Sequence, residues 1–185
     1  MKNSKVIVLS GFAHGGTNIV WNILQSHPEI VAPLSETGQL FKSSRILSLL
    51  KAKGLYKKLP YSSRIIDYIL FRYKMKSFGS PDNRYRSDGN LYSRKQMEQS
   101  ALCLKSVNHD ILITYLLASI YPDMYFIALT RNGYSLADGY IRRGRTAVEA
   151  GQMYQQIAEE MQRCAEVLPN FCLLYTSDAA DEEDS

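Results

Sequence analysis

Val6-Ile7-Val8-Leu9-Ser10-Gly11-Phe12-Ala13-His14-Gly15-Gly16-Thr17-Asn18-Ile19-Val20-Trp21 is the most informative stretch of the chain. Residues 6–9 form a continuous apolar run rich in β-branched side chains, the pattern of a strand buried on both faces. Gly11, Gly15 and Gly16 punctuate the next segment, and from Ile19 the apolar residues Ile19, Val20, Ile23 and Leu24 recur at helical spacing. His27-Pro28 closes that helix, because the residue before a proline is pushed out of the helical region. The order is therefore strand, glycine loop, helix. In that setting successive backbone N–H groups and the helix N-terminus form an anion site, and glycine lets an anion come close to the backbone.

The rest of the chain extends the pattern. Residues 30–33, 101–105 and 125–130 read as further strands, and residues 111–120 as an apolar helix between the last two. Strands alternating with helices predict a parallel sheet with right-handed crossovers. The expected fold class is α/β, a three-layer parallel sheet of the P-loop NTPase-like type. Thr146 and Glu149 form a capping-box pattern at the start of a helix ending near Leu168. Val148, Tyr154, Ile157, Met161 and residues 164–167 make its apolar stripe.

Residues 42–100 differ in character. Lys51, Lys53, Lys57, Lys58, Arg64, Arg72, Lys74 and Lys76 crowd this stretch, with Asp67, Asp82 and Asp88 as its few acids up to Lys95. It reads as a basic helical insertion, turn-rich over residues 77–90, and not as a second domain. Such a segment is either a solvated helical face or a holder of something anionic. It carries no recognised nucleic-acid-binding motif, so nucleic acid is not an expected partner.

With 185 residues, 45% of them apolar and 22% charged, the chain is long enough for one domain with a core. Cys103, Cys164 and Cys172 are odd in number and lack metal-ligand spacing, which points to reduced thiols. The apolar run at 6–9 is too short for a signal peptide, and no stretch approaches the roughly 18–20 residues of a membrane span. A cytoplasmic protein without an integral membrane segment is expected.

The end of the chain stands apart. Cys172-Leu173-Leu174-Tyr175-Thr176-Ser177-Asp178-Ala179-Ala180-Asp181-Glu182 resembles a translated transposon-end sequencing adapter in one reading frame. Residues 172–185 are accordingly expected to be a non-native tail, leaving 1–171 as a C-terminally truncated domain. A natural acidic tail is the competing reading.

The glycine loop also excludes chemistry. Against the Walker A pattern, Gly11 and Gly16 fit, but Thr17 takes the lysine position and Asn18 the position of the magnesium-binding hydroxyl. The groups that serve a β/γ-phosphate and its metal are missing. The loop is suited to a single phosphate without a metal, and no cluster of His, Cys and carboxylate predicts a metal elsewhere.

Gly11 to Asn18 resembles the 5′-phosphosulfate loop of the sulfotransferases that use 3′-phosphoadenosine 5′-phosphosulfate (PAPS), with the form G-x-x-[RK]-[SG]-G-T-[TS]. Ser26-His27-Pro28-Glu29 is similar to that family's helix ending. Tyr125-Phe126-Ile127-Ala128-Leu129-Thr130-Arg131 resembles its second motif, a strand ending in an arginine that holds the 3′-phosphate. A guanidinium fork suits that task because it can grip phosphate through two parallel bonds. The resemblance spans residues 5–171. It implies that Gly11, His14, Gly15, Gly16, Thr17 and Asn18 take the 5′-phosphosulfate. It further implies that Arg131, with the residue at position 139, takes the 3′-phosphate.

Two positions depart from the family. His14 replaces the loop's lysine or arginine, so charge on the leaving oxygen would be met by a cation only when the imidazole is protonated. Gly139, eight residues after Arg131, replaces a serine whose hydroxyl contact is lost, and Arg142-Arg143 is a candidate replacement. For catalysis, the resemblance implies that Glu36, after the second strand, acts as the base and Lys105, at the end of the third, neutralises the transferring group. A solvated loop glutamate and a structural ion pair are the plain alternatives. His27 and His109 read as structural.

The implied reaction moves a sulfuryl group from PAPS to a hydroxyl or amine of an acceptor, releasing 3′-phosphoadenosine 5′-phosphate. The acceptor class, small molecule or saccharide and anionic or not, is left open by the residues. Two other readings stand beside it: a non-catalytic nucleotide- or anion-binding module of the same fold, and a P-loop nucleotide kinase.

Overall fold

A computed structural model of the protein describes residues 5–52, 61–76 and 93–176. Five parallel strands, β1 (Val6–Gly11), β2 (Ile30–Val31), β3 (Ala101–Val107), β4 (Tyr125–Arg131) and β5 (Asn170–Thr176), form one sheet in the order β2-β3-β1-β4-β5. This is the α/β, all-parallel architecture expected from the sequence. The turn-rich segment 77–90 lies outside the described residues.

Alternation along the strands assigns the two faces. Val8, Leu102, Leu104, Phe126 and Ala128 point to one side, where they meet Leu116, Leu117, Ile157 and Met161 in the main core. These come from α6 (Ile113–Ile120) and α8 (Ala147–Val167). Leu9, Cys103 and Leu129 point to the other, where Trp21 of α1 (Thr17–Ser26) covers them. Successive strand residues must face opposite ways, so a parallel strand buried on both sides reads as an unbroken apolar run.

The second face carries α1 alone among the described residues. Thr17, Trp21 and Gln25, four apart, are its buried stripe, whereas Ile19 and Ile23 are exposed. The apolar pattern of α1 is thus wider than the surface it buries. A similar correction applies to α8, where Val148 and Val167 are exposed and Ala150, Ile157, Met161 and Cys164 are buried. Its capping box is present as predicted, with Thr146 Oγ1 accepting from the Glu149 amide and Glu149 from the Thr146 amide. Residues 108–112 form a 3₁₀ turn ahead of α6, so the helix expected from 111 begins at Ile113.

α2 (Thr37–Ser43) leads into the basic insertion, which supplies α3 (Arg45–Ala52), α4 (Ser62–Met75) and α5 (Arg94–Gln99). The insertion is not only a solvated face. Ile66, Leu70 and Phe71 of α4 are buried, and Leu47 of α3 joins the same core beside Leu40 and Phe41 of α2. Two charged groups of α4 are buried with them. Lys74 is fully buried and donates to the carbonyls of Glu98 and Ser100 at the end of α5, while Asp67 accepts from the Tyr121 hydroxyl at 2.6 Å. The loss of solvent lowers the Lys74 ammonium to about 8.

β5 pairs with β4 from Tyr125↔Asn170 onward, and Phe171 stacks on Phe126. The strand runs through Cys172 and on to Thr176, so part of the segment that resembles an adapter lies in the sheet. Main-chain pairing is open to nearly any sequence, and Leu173 and Tyr175 remain exposed.

Candidate active site

β1 leads into α1 on one face. Its neighbours β3 and β4 lead into helices on the other. Where adjacent connections part in this way a crevice opens at the carboxyl ends of the strands, and the glycine loop lies in it. Gly11 ends β1 under tight constraint: an added Cβ would meet the Leu129 carbonyl oxygen at 2.7 Å and Thr17 Cγ2 at 2.8 Å. The loop then turns through a Gly15 amide to Phe12 carbonyl bond of 3.0 Å. His14 and Gly16 both hold positive φ, 68° and 87°. Gly16 is the residue before α1, so the unbonded amides of the first helical turn face the loop.

Lys105 is 4% exposed, and its ammonium gathers three partners. Glu36 Oε1 lies 2.7 Å away, the Asn18 side-chain oxygen accepts from it, and the Trp21 ring lies beneath it at 4.8 Å. Three parts of the chain meet here: Lys105 comes from β3, Asn18 and Trp21 from α1, and Glu36 is the residue before α2. The sequence-predicted residues Asn18, Glu36 and Lys105 are therefore one constellation at the mouth of the loop. Trp21 was not among the predicted site residues; its position one turn into α1, beneath Lys105, is the signal that would have found it, and β3 itself runs two residues past Lys105 to Val107.

A second carboxylate, Asp110, lies within electrostatic reach of Glu36. Asp110 packs on Gly38 of α2 so closely that a Cβ there would fall 1.8 Å from Asp110 Oδ2. Burial pushes the Asp110 carboxyl up, and the Glu36 charge adds to the rise against the opposing Lys51 and Lys42.

His14 sits on the other rim, its ring edge-on to Tyr140 with centroids 6.3 Å apart. Although exposed, the imidazole is held below its ordinary value, first by loss of solvent and then by the Arg143 guanidinium. Arg143 donates to the Gly139 carbonyl, and a Cβ at Gly139 would meet its Nη1 at 3.6 Å. Arg143 thus stands over the position where the family resemblance places a serine. Its neighbour Arg142 instead pairs with Asp138 at the surface, at 2.6 Å. Arg131 ends β4, two residues beyond the Leu129 that pairs with Gly11.

Asn108 is the residue that sequence reasoning passed over. Its side-chain oxygen accepts from the Ala13 amide of the loop at 2.8 Å and from the Tyr140 hydroxyl at 3.1 Å. His27 follows the end of α1, its Nδ1 accepting from the Glu29 amide at 3.1 Å. His109 is exposed and lines a cavity of about 400 Å³ together with Asn108, Tyr140, Arg145 and Gln156. Among the described residues no group of three or more His, Cys, Asp and Glu side chains could hold a metal ion, and no helix is long and apolar enough to cross a membrane.

No family model and no curated protein matches the chain. Solved structures do. The sulfotransferase domain from the Synechococcus PCC 7002 olefin synthase superposes with a TM-score of 0.55 at 13% identity, covering 95% of this chain and 67% of that one. The sulfotransferase domain from the curacin biosynthetic pathway gives 0.56 at 14% identity, covering 95% and 68%. The fold is that of these sulfotransferase domains, over about two thirds of their length.

Proposed function

We propose that the chain is the donor-binding part of a sulfotransferase that moves a sulfuryl group from PAPS to a hydroxyl or amine. The observation that carries this reading is the meeting of Glu36, Lys105 and Asn18 at the mouth of a glycine loop that lacks the Walker lysine. The residues suit such a donor. The cradle at Gly11 admits no side chain, Gly16 opens the first helical turn to an anion, and the buried Lys105 cation reaches Asn18 in that turn.

PAPS supplies the sulfuryl group and leaves as 3′-phosphoadenosine 5′-phosphate. In this reading the loop from Gly11 to Asn18 holds the 5′-phosphosulfate and Arg131 the 3′-phosphate. Arg143 stands in for the hydroxyl missing at Gly139. Glu36 takes the proton from the acceptor at its carboxylate as the acceptor oxygen or nitrogen attacks. Lys105 pairs with Glu36 beforehand and faces the negative charge carried by the transferring group. His14 meets the leaving oxygen as a cation when protonated. Besides that base, such a transfer asks the protein for positioning and charge stabilisation.

A binding-only module is the second reading. It is favoured by His14, which is held below its ordinary value where the loop motif it resembles carries a lysine or arginine. Transfer of ³⁵S from labelled PAPS to a panel of simple alcohols, amines and saccharides separates the two. Turnover that disappears in Glu36→Gln supports catalysis; donor binding without transfer to any acceptor, unchanged in Glu36→Gln, supports the binding module.

A further inference from the structure

The glycine loop is tied to the rest of the site by one side chain. Asn108 follows β3 directly and holds φ 53°, a left-handed conformation that asparagine tolerates better than most residues. That backbone turn brings its amide under the loop, where Oδ1 accepts from both the Ala13 amide and the Tyr140 hydroxyl. Two donors converging on one atom fix the amide's orientation, since Nδ2 is itself a donor. Burial keeps Tyr140 protonated by pushing its phenol up, so it remains a donor through the neutral range.

Loop, strand β3 and α7 (Gly133–Ile141) are thereby joined at a single oxygen. The consequences lie in the loop. The Ala13 amide is fixed toward Asn108, the Gly15 amide closes the turn onto Phe12, and His14 between them takes its positive φ against the Tyr140 ring. Asn108 and Tyr140 also form one wall of the cavity of about 400 Å³. The same two side chains therefore touch both the loop and the space beside it.

We propose that Asn108, oriented by Tyr140, is a positioning residue that holds the glycine loop in its anion-receiving turn. The proposal rests on the donor reading above for the identity of the anion, and on the two hydrogen bonds alone for the clamp. Asn108 touches the loop and not the reacting atoms; it acts through Ala13 and His14.

The test uses the full chain, with 3′-phosphoadenosine 5′-phosphate as the probe and hydrogen exchange of the Ala13 amide as an independent readout. Asn108→Ala removes the acceptor: Ala13 exchange accelerates at least tenfold and probe affinity falls about tenfold. Asn108→Asp keeps an accepting oxygen and tolerates the left-handed backbone. It preserves Ala13 protection and melting temperature, yet weakens the probe several-fold at low salt, an effect that salt screens away. Tyr140→Phe gives a smaller loss of affinity. The salt-dependent loss in Asn108→Asp reports how close position 108 lies to the bound anion, and the positioning role is read from Ala13 exchange and probe affinity together in Asn108→Ala. Unchanged Ala13 exchange in Asn108→Ala overturns the clamp. Unchanged probe affinity alongside accelerated exchange overturns the positioning role. Should the wild type fail to bind the probe, the donor reading falls, while Ala13 exchange still decides whether the clamp exists.

Discussion

The Lys105 ammonium lies 2.7 Å from Glu36 Oε1, with the lysine almost wholly buried and the carboxylate one third exposed. The cation is fixed in place by the Trp21 ring and Asn18, whereas the carboxylate looks outward to whatever enters the crevice. A buried cation and an accessible base held by each other form an arrangement that an incoming anion and acceptor would divide between them.

Glu36→Gln retains an oxygen for Lys105 and removes the base. Transfer should fall by about 10²–10⁴-fold with binding of 3′-phosphoadenosine 5′-phosphate changed less than threefold. Single-turnover kinetics beside a binding titration check the split.

Gly11→Ala forces a methyl group into the Leu129 carbonyl and Thr17. Unfolding free energy should drop by about 1–3 kcal/mol, as for other overpacked sites, and the loop should lose its anion. Gly144→Ala is the contrast: nothing lies within 4 Å, and only its positive φ of 82° opposes the change. Urea unfolding of the two variants compares a steric with a conformational cost.

His14 gives donor binding a pH dependence. Its ordinary value of 6.5 is lowered in the free protein by lost solvent and by Arg143, and a bound anion would raise it again. Binding then takes up a proton, so affinity for 3′-phosphoadenosine 5′-phosphate rises as pH falls through the range in which the bound imidazole protonates. His14→Lys should remove that dependence and bind more tightly at pH 7.5. Calorimetry in buffers of different ionisation enthalpy counts the proton directly.

Lys74 gives stability a pH dependence of definite sign. Its value is lowered from 10.5 to about 8 in the folded protein, so the unfolded chain binds more protons between those limits. Folding is therefore favoured increasingly as pH rises from about 8 toward 10.5. Lys74→Met lacks this contribution. The stability difference between wild type and variant, followed by urea unfolding from pH 7 to 10, should shift toward the wild type by more than 1 kcal/mol.

Much of this architecture was legible in the residues. Val6 to Asn18 announced strand, loop and helix because a buried parallel strand leaves an apolar run and a tight anion loop demands glycine. Lys105 and Arg131 were legible because each ends such a run, at the edge where ligands gather. Other features have no linear pattern. Asn108 carries its role through one backbone conformation and two long-range hydrogen bonds, 95 and 32 residues away. Lys74 reads as one more charge in a basic run, and only packing reveals it as the buried partner of the α5 carbonyls. Ile19 and Val148 mislead in the opposite direction, since an apolar residue at helical spacing is buried only where another element covers it.

The central claim is that the crevice above β1 and β4 binds the PAPS skeleton through the glycine loop and Arg131. Calorimetric titration of 3′-phosphoadenosine 5′-phosphate without magnesium, into wild type and Arg131→Ala, tests it most directly. The account predicts micromolar binding that weakens about 10–100-fold in Arg131→Ala, with ATP binding far more weakly than the probe. No binding by folded wild type, or equal binding by the variant, would contradict it.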